Sequence, residues 1–130
     1  MGKLVRKKTE TSDLDSLPNA RRIAQFAADH KASDIKGYDV RGLTVVADSF
    51  VLCSASSEPQ VRAIFNTVKA GMKSTVGKAP LRTEGTPSCG WLVMDYGSVI
   101  FHIFRVEARE FYDLDGLWAD APELDLDVDV

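Results

Sequence analysis

Residues 90–104 read GWLVMDYGSVIFHIF, two apolar runs on either side of a turn at residues 95–98. Short apolar runs separated by turn-forming residues predict a β-hairpin. Trp91 and Asp95 fall on one face of its first strand, and Tyr96 falls on the other. The pattern alone leaves open whether the face of Trp91 covers the core or meets solvent. These side-chain types favour a recognition surface, and none of them is an obvious nucleophile, so the hairpin indicates binding before catalysis.

The composition is that of one globular domain. The chain has 130 residues, 45% hydrophobic and 27% charged, which is enough to bury a core. No apolar run approaches the roughly 18 residues of a transmembrane helix, and the N-terminus lacks the pattern of a secretory signal. Cys53 and Cys89 match no disulfide framework or metal-binding spacing. We therefore expect reduced thiols in a cytoplasmic protein.

Charge is concentrated at the two ends of the chain. Residues 1–10 carry a net charge of +3 and residues 120–130 carry −5, within a total of −3. Segments of this kind favour solvated tails. We predict a basic mobile arm over residues 1–16, an ordered domain over residues 17–122 and an acidic disordered tail over residues 123–130. RNA contact through the arm, or through the helix face of Arg62, Lys69 and Lys73, is the alternative to a solvated surface.

The body of the chain alternates helical and strand patterns. Helices are predicted from Pro18 to about residue 32 and from Glu58 to a break at Gly77, with Ser56 or Ser57 as N-cap. A short helix is predicted over residues 106–112. Besides the hairpin, short strands are predicted at residues 34–40 (broken by Gly37), 43–46, 49–54 and 81–84. This order favours an α/β fold with a mixed β-sheet flanked by helices.

Two groups of residues invite a catalytic interpretation. Cys89 and His102 could form a nucleophile and base, but no orienting third residue lies at a recognisable spacing. Asp34, Asp39 and Asp48 border the early strands, but they form no alternate-residue pair suited to Mg²⁺. The glycines form no phosphate-binding motif. The residues therefore predict no catalytic site, no metal and no cofactor.

Several blocks of the sequence resemble one known family, the ribosomal silencing factors, also called iojap-like proteins. The resemblance covers about residues 18–122. Where many members have a Thr-Gly pair, this chain has Ser54 and Ala55, and the segment after Pro122 is not part of the pattern. The matching blocks are DVRGL (39–43), ADSFV (47–51), SS (56–57), QV (60–61), EG (84–85), WLVMDYG (91–97), AREFYDL (108–114) and LWADAP (117–122).

The resemblance implies a function and a site. Members bind the fourteenth protein of the large ribosomal subunit, block joining of the small subunit and repress translation when nutrients are scarce. They often form homodimers, and their fold is similar to nucleotidyltransferases without the catalytic residues. Carried over by position, Glu84, Trp91, Asp95 and Tyr96 form the partner surface, with Trp91 and Tyr96 as anchors and Asp95 as acceptor of hydrogen bonds. The alternatives are a large-subunit assembly factor and a nucleotidyltransferase-like enzyme using Asp48.

Overall fold

The structure is a computed structural model that describes residues 15–128, so the predicted basic arm lies outside the described residues except for its last two positions. Four helices and five strands follow one another within these residues, with a 3₁₀ turn at Pro87–Cys89. In chain order they are α1 (Leu17–Asp29), β1 (Ser33–Asp39), β2 (Ser49–Ala55), α2 (Glu58–Val76), β3 (Arg82–Thr86), β4 (Trp91–Asp95), β5 (Val99–Arg105), α3 (Val106–Tyr112) and α4 (Leu114–Leu117).

The five strands form one mixed sheet in the order β1-β2-β5-β4-β3. Neighbouring strands are antiparallel, except for the central pair of β2 and β5, which is parallel. A parallel pair needs a long connection, and α2, β3 and β4 lie within it. Helices flank this sheet, so the predicted mixed α/β fold is confirmed. The topology leaves β1 and β3 at the two edges.

Helices α1 and α2 cover one face of the sheet, as their apolar periodicity predicts. The hydroxyl of Ser57 accepts a hydrogen bond from the N–H of Gln60 and caps α2 at its start. Gly77 ends the helix in the left-handed region at φ 70°, which a residue without a side chain adopts at low cost. The buried stripe of α2 consists of Val61, Ile64, Val68 and Met72.

The prediction of a disordered acidic tail is wrong for residues 123–128, which we call the C-terminal strap. Leu124 and Leu126 are buried in the main core, while Glu123, Asp125 and Asp127, which alternate with them, are exposed. The N–H of Leu124 donates to the carbonyl of Gly37 in β1 at 2.8 Å. A Cβ on Gly37 would lie 3.0 Å from Leu126, so the glycine makes room for the strap. Leucines and acidic residues alternate here because successive side chains of an extended chain point to opposite sides.

The other differences from the predicted elements concern short segments. Residues 43–46 form part of a loop rather than a strand, and β1 runs through Gly37 without a break. β3 begins at Arg82 and continues to Thr86. Ser16, placed in the predicted arm, is buried and its hydroxyl lies 3.0 Å from that of Ser49. The ordered domain therefore begins before residue 17.

The buried guanidinium of Arg109 joins α3 and α4 to the strands. Its Nε donates to Asp115 Oδ2 at 2.7 Å, and its Nη2 donates to Oδ1 at 3.1 Å. Its Nη1 donates to the carbonyl of Asp34 at 2.7 Å and to the hydroxyl of Ser54 at 2.9 Å. The hydroxyl of Tyr38 also donates to Asp115, at 2.7 Å. Burial acts to raise the pKa of Asp115, but hydrogen bonds from Arg109 and Tyr38 lower it, which keeps the pair charged.

Candidate binding face

The face of the sheet opposite α1 and α2 is covered only in part by the described residues. Over β1, β2 and β5 it carries a second apolar cluster, against which Leu114 and Trp118 pack. Towards the other edge, Trp91 and Val93 of β4 are half-buried, and all five residues of β3 are exposed. The partly covered end of this face is therefore the side of β3 and β4. We call it the open face.

Trp91 is held rigidly on the open face. Its indole Nε1 donates to His102 Nδ1 at 3.1 Å, and its ring stacks on Phe104 with centroids 5.0 Å apart. The ring of Tyr112 also packs against it, with centroids 4.6 Å apart. Burial lowers the pKa of His102 to about 4, so the imidazole is neutral near pH 7 and its Nδ1 can accept this bond. Trp91 therefore packs on the sheet and still presents part of its surface outward.

Two hollows lie on either side of Trp91. The larger has a volume of about 300 Å³ and an apolar floor with charged side chains at its rim, and we call it the groove. The smaller has a volume of about 220 Å³ and reaches Cys89 and Tyr112. Both share Glu84, Trp91 and Val93. The groove is lined by Val46, Phe50, Arg82, Glu84, Trp91, Val93, Asp95, Ile100 and His102.

Each of the two hollows has an exposed apolar side chain in its lining. Val46 lines the groove, and the fully exposed Val45 precedes it in the same loop. Tyr112 lines the smaller hollow, and the ring of Phe111 packs against it at 5.1 Å. Exposed apolar surface of this kind marks interaction sites. Among the described residues, helices α1 and α2 contribute none of the exposed large apolar side chains, which are Leu43, Val45, Val46, Leu81, Val106, Phe111, Tyr112 and Leu117.

Glu84 and Asp95 lie at the rim of the groove with Arg82 between them. The carboxylate of Glu84 is exposed and lies 4.0 Å from Arg82 Nε. Asp95 is more enclosed, with 16% of its side chain exposed and its Oδ2 3.5 Å from the same nitrogen. Its Oδ1 accepts a hydrogen bond from the N–H of Gly97 at 2.8 Å, which holds the hairpin turn. Asp95 is therefore both a groove residue and a turn residue.

Tyr96 lies on the opposite side of the sheet from the other predicted site residues. It is buried in the main core with the helices, and its hydroxyl has no hydrogen-bond partner among residues 15–128. Burial raises its pKa to about 12. The structure thus brings Glu84, Trp91 and Asp95 together but not Tyr96, whose predicted anchor role does not fit this position.

Sequence reasoning missed several residues of the face. Val45 and Val46 carried a usable signal, because two adjacent valines in a segment next to Gly42 suit an exposed loop as well as a strand. Tyr112 was assigned to a helix without a partner for its ring. The sequence suggests His102 only as a possible base for Cys89, whereas in the structure it accepts the hydrogen bond that holds Trp91.

The catalytic interpretations have no support in the geometry. The described hydrogen bonds include none between Cys89 and His102; the thiol bonds to backbone carbonyls, and the imidazole bonds to Trp91. Asp39 is buried and its Oδ2 lies 2.7 Å from Arg41 Nη2. Between residues 15 and 128, no group of three His, Cys, Asp or Glu side chains is arranged to hold a metal ion. No helix in that range combines the length and apolar composition that a bilayer crossing requires.

Comparison with known proteins gives consistent results for sequence and fold. A family model described as "Ribosomal silencing factor during starvation" matches residues 13–130. A ribosomal silencing factor of Bacillus subtilis is 36% identical over 113 residues, which is 84% of this chain and 95% of that protein. One of Halalkalibacterium halodurans is 34% identical over 99 residues, covering 76% of this chain and 84% of the relative.

A solved structure from Bacillus halodurans superposes with a TM-score of 0.72 at 28% identity, covering 83% of this chain and 97% of that one. The family match extends through the C-terminal strap. The expectation that the family pattern ends at Pro122 is therefore wrong.

Proposed function

The chain belongs to the family of ribosomal silencing factors, and on that premise we propose that it binds the fourteenth protein of the large ribosomal subunit through the open face around Trp91. A protein seated there blocks joining of the small subunit and represses translation when nutrients are limiting. The observation that carries the proposal is the apolar groove beside Trp91, with the exposed Val46 in its lining and the exposed Tyr112 in the neighbouring hollow.

The ring of Trp91 is fixed in place before a partner binds. Its hydrogen bond to His102 and its contacts with Phe104 and Tyr112 fix the ring before a partner arrives. A fixed aromatic ring loses little conformational entropy on association, which is why such residues carry much of the binding energy. The exposed charge of Glu84 forms part of a polar rim, as expected around an apolar centre.

The first experiment is cosedimentation with isolated large subunits, together with the yield of joined ribosomes. We expect Trp91→Ala to weaken binding by roughly 30-fold or more, as for a residue worth about 2 kcal/mol at an interface. Phe26→Ala is the matched control, because Phe26 is a partly buried aromatic residue on α1, away from the open face. Circular dichroism checks that both variants are folded. Failure of the wild-type protein to cosediment would reject the proposal.

A second variant avoids any effect on folding. Val45 is fully exposed, so Val45→Asp removes apolar surface beside the groove without disturbing the core. We expect weaker cosedimentation, while Thr75→Asp at an exposed position of α2 leaves it unchanged. Accumulation of precursor particles in a deletion strain, with normal subunit joining, would instead favour the assembly role.

Three further features belong to the same proposal. The free protein forms a homodimer, which sedimentation velocity tests. It acts in the cytoplasm, where its target is found. Basic residues contact ribosomal RNA, and Arg62, Lys69 and Lys73 are exposed with no ion pair within the described part of the chain. The likeness of the fold to nucleotidyltransferases stays a prediction. Calorimetry with a nucleotide and Mg²⁺ tests the enzyme alternative, because measurable binding would favour it.

A further inference from the structure

Within residues 15–128, one edge of the sheet is covered by another segment and the other edge is not. At β1 the outer side is occupied, because Tyr38 forms an antiparallel bridge with Glu123 and the N–H of Asp39 donates to the carbonyl of Pro122 at 2.8 Å. At β3 all five residues are exposed, and no segment within residues 15–128 pairs with its outer side. An uncovered edge offers backbone donors and acceptors to another strand.

The register fixes which backbone groups of β3 point outward. The N–H of Tyr96 donates to the carbonyl of Val99 at 2.9 Å, so the even-numbered residues of β4 bond towards β5 and the odd-numbered ones towards β3. Val93 is one of the odd-numbered residues, and its partner in β3 is Glu84. The alternate residue, Thr83, therefore directs its N–H and its C=O away from the sheet.

This edge is continuous with the groove. Arg82 and Glu84, on either side of Thr83, both line it. A strand added outside β3 lies about 4.8 Å beyond it, so its side chains on the groove side meet Arg82 and Glu84 first. The exposed charges of Arg82 and Glu84 disfavour pairing with an arbitrary apolar strand, so this charged rim supplies the specificity.

We propose that the ribosomal partner adds an extended segment to β3, hydrogen-bonded to the backbone of Thr83, with alternate side chains beside Arg82 and Glu84 at the rim of the groove. The inference rests on the proposed function and specifies how the partner is recognised. Backbone pairing supplies affinity and register, and the charged rim selects the side chains, as in other cases of strand addition. The partner segment should therefore be an extended strand with charged residues that pair with Arg82 and Glu84.

The test compares two substitutions at one position. Thr83→Pro removes the outward N–H and is compatible with an edge strand, whereas Thr83→Val keeps the N–H and the branched shape. We expect Thr83→Pro to weaken binding to the purified fourteenth protein about tenfold or more, and Thr83→Val to stay within about twofold of wild type. In the wild-type protein, amide hydrogen exchange of Thr83 should slow on binding, a measurement that needs no substitution.

Each outcome separates this inference from the proposed function. Normal affinity of Thr83→Pro together with unchanged exchange at Thr83, while Trp91→Ala fails to bind, would overturn strand addition and leave the function standing. No binding by the wild-type protein would reject the function itself. If Thr83→Pro altered only the self-association of the protein, the edge of β3 would be assigned to pairing with a second copy of the chain. This result too would overturn the inference.

Discussion

Replacing Arg109 with methionine tests whether one buried guanidinium holds α3 and α4 on the sheet. The substitution keeps an apolar stem but removes four hydrogen bonds, two to Asp115 and one each to Asp34 and Ser54. Removing one partner of a buried ion pair costs about 3–5 kcal/mol. The side chain of Asp115 is 29% exposed and keeps its bond from Tyr38, so we take the lower end, about 3 kcal/mol.

The assay is urea unfolding followed by circular dichroism, with Lys36→Met as the matched control. Lys36 Nζ lies 3.7 Å from Glu123 and both side chains are exposed, so removing that pair should cost less than about 1 kcal/mol. Because α3 carries Tyr112, which packs on Trp91, we also expect Arg109→Met to weaken ribosome binding. An unfolding free energy for Arg109→Met equal to that of Lys36→Met would refute the reasoning.

Two more predictions concern stability. Burial lowers the pKa of His102 to about 4, below its unfolded value near 6.5, so the unfolded chain binds the proton first as pH falls. Between pH 6.5 and 5 this costs about 1.5 kcal/mol of unfolding free energy, a loss that a titration series on His102→Phe should lack. Leu126→Ala should cost about 2 kcal/mol in urea unfolding, whereas Leu117→Ala, 69% exposed, should cost little; equal effects would mean that the strap does not pack.

Much of the fold could be predicted from periodicity, because each element buries one regular face. The stripe of α2, the apolar run at residues 50–53 of β2 and the hairpin around residues 95–98 all carry that signal. The strap could not be recognised, since Leu124 and Leu126 stand among acids and only the absence of a side chain at Gly37, far away in sequence, makes room for them. The charge of this segment predicts a solvated tail, and composition contains no information about the contact with Gly37.

The candidate site, too, could be predicted only in part. Alternation placed Trp91 and Asp95 together, which the structure bears out, and it also placed Tyr96 on the other face. The anchor role of Tyr96 came from the resemblance alone, whereas its place on the other face came from the alternation. The contribution of Val45 depends on where a loop lies against the sheet, which no local pattern contains.

The central parallel pair has a consequence for how the chain acquires its fold. β2 cannot complete its second ladder until β5 has formed, and Phe50 pairs with Ile100, which lies far along the chain. The strap closes over Gly37 from still farther away in sequence. Contacts of such high sequence separation slow folding and prolong the exposure of unpaired strands. We therefore expect a chain cut before β5 to aggregate, because β2 would then keep an apolar edge without a neighbour.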